Sequence, residues 1–379
     1  MSIMTSMYPS VNNVMDDRSQ LDPLRTTLAE VLRKAGYRTV GMVSHTFVDR
    51  RFGFGRGFEV YEDKKLIERP AEEITDMAMS LIEPLRNEPF FLFVHYFDPH
   101  FPYDPPPPFD PPAEDEDREP ERPLTWTEMK RFAFEDYTIP PDQLERMIDL
   151  YDGEIAYTDA MIGRLVENLR SAGIYDRSTI VLTADHGEEF KEHGSMGHTR
   201  TLYDEILHVP LLVKLPGSAG AGTVVGQQVR SIDIAPTILR LAGLNPPLEY
   251  QGVDLSPFWR EGGTQPDLPA FSETSRHAIL RSVRDTGYKY IQNIRRSFYL
   301  GTASGIGSSE VYCLREDRGE RNELSKSKEG EILLLRKELF DWVRHSELER
   351  RWIPKAGGTE EITYDKETLD RLRALGYVQ

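Results

Sequence analysis

Asp185 and His186 stand side by side in the segment TADHGEEFKEHGSMGHTR, directly after the apolar run STIVL, and His193 and His198 follow within the same segment. A carboxylate oxygen beside an imidazole nitrogen suits a divalent cation, with Gly187 allowing a tight backbone turn behind the pair. The competing reading is an Asp that caps the next helix beside a structural histidine. It fits an isolated pair better than one set among further histidines. His100 and His198 suit a different chemistry, because a cationic imidazole donates to the non-bridging oxygens of an anionic ester as charge develops there. Either residue can also protonate a leaving alkoxide. The residue types therefore point to binding and hydrolysis of an anionic ester. His45 and His193 are given no chemical role, and His193 is expected only to shape the EEFKEHG loop.

These residues need elements that deliver them to one edge. LRTTLAEVLRKAGYRTVGMVSH reads as an amphipathic helix, a turn at AGY and an apolar strand that ends near Ser44 and His45. AEEITDMAMSLIEPLRNE repeats the helix, and PFFLFVHYFD reads as a strand buried on both faces that delivers Asp98 and His100. DLYDGEIAYTDAMIGRLVENLRSAGIYDRS carries helical periodicity to a Gly stop, and TIVLTADHG supplies a third buried strand. The alternation predicts a parallel sheet, whose ligands sit beyond the carboxyl ends of the strands. Five of the nine histidines lie at that predicted edge. VPLLVKLPG reads as a further strand, and SIDIAPTILRLAGL as a helix with its Pro near the first turn.

From about Ser256 the texture changes to short antiparallel strands, AILRSVRDTGYKYIQNI and SSEVYCLRED, followed by the helical EGEILLLRKELFDWVRHSELERRW. The expected organisation is a catalytic domain over 1–255, an antiparallel-sheet subdomain over 256–345, and a tail with a docking helix over 346–379. Between the second and third helix–strand units, the stretch from His100 to Trp126 is too Pro-rich for helix or central strand and reads as a substrate-shaping loop or lid. Its acidic run PPAEDEDREPERP reads as solvated loop.

The bulk composition sets limits. At 379 residues and 39% hydrophobic content, the chain is long enough for a large α/β domain and a smaller one. Its net charge of −17 argues against a nucleic-acid partner, which requires a basic face. No apolar run reaches the roughly 18 to 20 residues that span a bilayer, and the opening residues lack the basic and apolar regions of a secretory signal. The single cysteine, Cys313, excludes an internal disulfide framework and a multi-Cys zinc site.

In order and spacing, SIMTSMYPS, AGYRTVGMVS, FFLFVHYFDPHFPY, TIVLTADHGEEFKEHGSMGH, LYDEILHVPLLVKLPG, VRSIDIAPTILRLAGL and VYCLREDRGERNEL resemble the sulfatases of the alkaline phosphatase superfamily. The resemblance implies an alkaline-phosphatase-like α/β sandwich with a mixed, mostly parallel central sheet and a smaller C-terminal α+β subdomain. It implies hydrolysis of sulfate monoesters, small-molecule or glycan. It also implies a divalent metal on Asp185 and His186, most often Ca2+, with Mg2+, Mn2+ or Zn2+ as alternatives. Sulfate contacts and leaving-group assistance carry over onto His100 and His198.

Two departures accompany the resemblance. Ser2 to Ser6, SIMTS, occupies the place of the SLLTG helix that follows the family's nucleophile signature, so the chain is expected to begin just after that nucleophile and to show little or no sulfatase activity alone. Cys313 lacks the Pro and Arg of a formylglycine signature, so formylglycine is not expected within this chain. VSHTF also lacks the Lys-x-His of many arylsulfatases. Two alternatives stand beside the leading reading: a phosphodiesterase, phosphonate monoester hydrolase or phosphoethanolamine transferase of the same superfamily, and a non-catalytic remnant or binding subunit.

Overall fold

The computed structural model describes residues 1–16, 18–63, 69–111, 128–129, 131, 138–259, 263, 266–275, 279–295, 307–326, 329–352, 362, 366 and 369. The acidic run and most of the expected terminal docking helix lie outside these residues. Two compact units form, one built on Ala29–Ser178 and one on Met1–Leu28 with Thr179–Glu361.

In the first unit, α1 (Leu28–Lys34) turns at Gly36, whose φ of 92° is open to glycine at little cost, into β1 (Arg38–Met42). β2 (Val60–Glu62) and β3 (Phe90–Val94) flank β1, and both pair with it in parallel. α2 (Ala71–Leu85) carries Ile74, Ala78, Ile82 and Leu85 on one face and Glu72 and Glu73 in its first turn, where acidic side chains favour the helix dipole. Ile74, Ala78 and Leu85 pack with Val40 and Met42 of β1 and with Phe90, Leu92 and Val94 of β3. α3 (Pro141–Ser171) starts with Pro at its first position and extends toward the N-terminus beyond the periodic run that announced it. The expectation that β3 is buried on both faces is corrected: all five of its residues are only half buried. Among the described residues β3 is an edge strand, so solvent reaches its side chains along one margin.

The second unit holds β4 (Ile180–Thr183), β5 (Glu189–Phe190), β6 (Met196–Gly197) and β7 (Leu211–Lys214). Here a second expectation is corrected. β4 pairs with β7, and the ladder is antiparallel, from Ile180 opposite Lys214 to Thr183 opposite Leu211. Short apolar strands carry no signal that separates the two pairings; only the path of the connection does, and between β4 and β7 it holds the β5–β6 hairpin and one helical turn at Asp204–Leu207. α4 (Ile234–Leu241) follows, with Pro236 in its first turn as expected.

β8 (Ala270–Thr274), β9 (Ile279–Arg284), β10 (Tyr288–Arg295) and β11 (Ser309–Cys313) make an antiparallel sheet in the order β11-β10-β9-β8. Alternation sends Val283, Tyr290 and Val311 to one face, against Leu335 and Leu339 of α5 (Glu329–Trp352), where Trp342 stacks on Phe271 at 4.8 Å. The other face presents Ile291 and Tyr312 to Leu202, Tyr203 and Leu207. The sheet therefore supports the segment that follows the β5–β6 hairpin.

The two faces of α5 should respond differently to truncation. Leu339→Ala, at 1% exposure, is expected to cost about 2–5 kcal/mol, and Leu334→Ala, at 70% exposure, to stay within about 0.5 kcal/mol, both read from urea unfolding midpoints.

Candidate active site

Within the second unit, β4 ends just before Asp185, which is exposed, and His186, which is half buried. The His186 Nδ1 atom lies 2.9 Å from the Gly187 carbonyl oxygen, an acceptor, so Nδ1 carries the proton and Nε2, 3.8 Å from Asp185 Oδ2, is the candidate metal ligand. Burial opposes charge on this ring, but Asp185 and the Gly187 carbonyl outweigh it and raise its pKa. Gly187 is required for a reason different from the one expected. Its φ is ordinary, and it is the approach of the next segment that excludes a side chain: a Cβ there would lie 2.1 Å from the Glu205 carbonyl oxygen. The Gly187 N–H donates to the Ile206 carbonyl at 2.8 Å, which locks the metal-type pair to the helical turn at Asp204–Leu207.

Two ladder pairs, Glu189 with Gly197 and Phe190 with Met196, close the loop between the histidines. The buried Glu189 accepts from the Ser195 N–H at 2.7 Å and the Thr201 hydroxyl at 2.9 Å, and burial holds its carboxyl pKa up. His198 thereby returns to His186: the rings stack with centroids 4.1 Å apart and planes 26° apart. Glu188, also buried, places Oε1 3.0 Å from the His198 Nδ1 atom. Burial and then His186 lower the His198 pKa, against the pull of Glu188. Asp185, His186 and His198, singled out from the sequence, thus belong to one loop system.

His193 is not part of that group. Its Nδ1 lies 2.6 Å from Glu205 Oε1, its Nε2 3.0 Å from the Glu320 carbonyl oxygen, and its ring stacks on Tyr203 at 3.7 Å. Each nitrogen faces an oxygen acceptor, an arrangement that favours the imidazolium form. Burial opposes that charge, but the bonds to Glu205 and Glu320 prevail and raise its pKa. Beneath it the Lys289 ammonium, fully buried, lies 2.9 Å from Asp204 and 2.8 Å from Glu320. The Asp204 N–H donates to Glu320 Oε2 at 2.6 Å. Burial raises Glu320 against the pull of Lys289, whereas for Asp204 the attraction of Lys289 and Arg284 overcomes burial and lowers its pKa. Cys313 is buried at the end of β11.

His100 lies in the first unit. It donates from Nδ1 to the Phe101 carbonyl at 2.7 Å and stacks on Phe97, whose other face holds the buried His45 at 4.2 Å. Asp98, two residues before His100, has its carboxyl pKa raised by burial. Ser44 ties the ends of β1 and β3 together, donating to the His95 carbonyl at 2.8 Å.

For metal binding, Asp185 and His186 offer one carboxylate and one imidazole nitrogen, whereas calcium takes about six to eight oxygens. Among the described residues no group of three or more His, Cys, Asp or Glu side chains is arranged to hold an ion. The pair fits a cation as part of a shell.

Comparison with known proteins gives this geometry a context. Residues 1–244 match the family profile described as Sulfatase, and residues 191–343 match one described as N-sulphoglucosamine sulphohydrolase, C-terminal. The chain is 29% identical over 186 residues to the N-acetylglucosamine-6-O-sulfatase of Bacteroides thetaiotaomicron, covering 46% of this chain and 31% of that protein. It is 28% identical over 293 residues to the multifunctional alkaline phosphatase superfamily protein PehA of Trinickia caryophylli, covering 64% of this chain and 56% of the other. The chain therefore spans between about a third and just over half of these relatives. A solved structure in complex with its substrate D-glucosamine-2-N,6-O-disulfate superposes with a TM-score of 0.72 at 20% identity, over 92% of this chain and 87% of that one. That likeness shows the alkaline-phosphatase-like α/β fold.

Two measurements check the network. Lys289→Ala leaves the buried Glu320 carboxylate without its cation beside the half-buried Asp204 and is expected to cost about 3–5 kcal/mol in urea unfolding. Because the folded pKa of His193 is raised, its contribution is complete below the unfolded value of about 6.5 and is lost as pH rises through the folded value. The urea midpoint of the wild type should fall across that window relative to His193→Gln, and parallel pH profiles would overturn the assignment.

Proposed function

The chain belongs to the sulfatase family, and on that ground we propose that it serves in the hydrolysis of sulfate monoesters, with a sulfated amino sugar as the substrate class. The sugar is suggested by a relative named as an N-acetylglucosamine-6-O-sulfatase and by the matching profile described as N-sulphoglucosamine sulphohydrolase, C-terminal. The observation that carries the site assignment is the stack of His198 on His186 beside Asp185, which sets an anion-binding ring next to a cation-type pair.

In this reading Asp185 and His186 hold a divalent cation, calcium first among the candidates, whose chemistry is neutralisation of charge on sulfuryl oxygens. His198 meets the ester oxygens, and His100 takes the same role by resemblance. Hydrolysis breaks the S–O bond, and the leaving oxygen needs a proton, which an imidazolium at either position supplies. The site's own residues thus orient the ester and handle that proton.

Calorimetry with glucosamine 6-sulfate and with unsulfated glucosamine, in calcium and after chelation, tests the reading. The sulfated sugar should bind at least about tenfold more tightly, since a hydrogen bond to a charged group contributes about 1.5–3 kcal/mol. His198→Ala and His100→Ala should each lose about ten- to a hundredfold in affinity, and Asp185→Asn should abolish the calcium dependence. Equal affinity for both sugars would overturn it, and tighter binding of a phosphonate monoester would transfer the site to phosphorus chemistry.

A further inference from the structure

We infer that Glu188 is a positioning residue for His198, holding the imidazole by Nδ1 so that Nε2 is the nitrogen presented to the ester. The β5–β6 ladder makes this pair. Phe190 faces Met196 and Glu189 faces Gly197, so the next cross-strand positions are 188 and 198, where side chains of opposed residues meet at about 4.5–5.5 Å between Cβ atoms. Register alone therefore sets a carboxylate against the histidine, and the measured separation of 3.0 Å realises the bond. The neighbouring positions are pinned: the Glu189 carboxylate accepts from the Ser195 N–H and the Thr201 hydroxyl, and residues 189 and 197 pair through their backbones.

The Glu188 side chain is 5% exposed and that of His198 21%. An ionised carboxylate only accepts, so Nδ1 must be the protonated atom. The stack on His186 holds the ring plane, and Glu188 holds its rotation within that plane. Two restraints from two directions leave one orientation of Nε2.

This inference rests on the reading that His198 meets the ester, and two measurements separate them. Ring 15N shifts of histidine-labelled full-length chain, with His198→Ala as the assignment control, report the His198 tautomer without ligand. Affinity for glucosamine 6-sulfate reports the consequence. In the wild type, His198 should carry a proton on Nδ1 without ligand, and the ester, which only accepts, should bind with Nε2 protonated as well. Glu188→Ala should admit the Nε2–H tautomer in the free protein, release the ring from its fixed orientation and through that loss weaken binding about tenfold, and Glu188→Gln, whose amide oxygen accepts from the same place, should restore the Nδ1 bond and the affinity. Glu188→Asp withdraws the carboxylate by one methylene and should behave as Ala does, which decides the matter if the Ala variant fails to fold.

A merely structural role would lower the unfolding midpoint with the tautomer unchanged, and that result overturns the inference. It is also overturned if Glu188→Ala weakens binding as much in a His198→Ala background as in the wild type. Should His198→Ala bind the ester normally while Glu188→Ala still shifts the tautomer, the ester contact fails and the positioning stands.

Discussion

A buried ammonium between two carboxylates organises the second unit. Lys289 projects from β10 with its side chain fully buried, so Asp204 and Glu320 must both be brought to its Nζ. That requirement draws the helical turn at Asp204–Leu207 onto the sheet. The turn then supplies the carbonyl of Ile206 to Gly187 and the carboxylate of Glu205 to His193. The loop that carries Asp185 and His186 is therefore anchored through a relay of backbone and ionic contacts that begins well away from the histidines themselves. A carboxylate left without the lysine would be costly to keep buried, so the relay admits few alternative arrangements.

The hairpin divides structural from chemical groups by alternation. Glu189 and His193 are consumed by the fold, one accepting backbone N–H groups and the other bridging Glu205 to the Glu320 carbonyl. Glu188 and His198, one position away from the ladder, pair with each other beside His186. Four acidic or basic side chains within a short segment thus have quite different roles, set by the face of the two-pair ladder that Glu188, Glu189 and His198 take and by the place of His193 in the tip.

Much of this is legible in the residues. The order of short segments from SIMTS to VYCLRED places the family and fold, and the apolar periodicities locate the long helices and the antiparallel sheet. What escapes is whatever depends on pairing at a distance. Lys289 reads as an ordinary strand lysine because Asp204, its partner, is 85 residues away. The antiparallel pairing of β4 escapes because an apolar run of four residues looks the same in either kind of ladder. Gly187 reads as a turn residue, whereas the demand on it comes from the Glu205 backbone pressing against its α-carbon. Glu188 does carry a signal, one that emerges only once the ladder is known: a carboxylate immediately outside a short hairpin, opposite a histidine.

The brevity of that hairpin also bears on how the segment tolerates change in length. Its tip, Lys191 to Gly194, contains two positive-φ residues and joins the ladder through the Lys191 N–H to the Ser195 carbonyl. Residues added at the tip leave the pairing of 189 with 197 intact and keep His198 on its present face. One residue gained or lost between 195 and 197 inverts the alternation and turns His198 away from His186. Among natural variants of this segment, length differences should therefore gather at the tip, and the spacing from Ser195 to His198 should be constant wherever the stacked pair is kept.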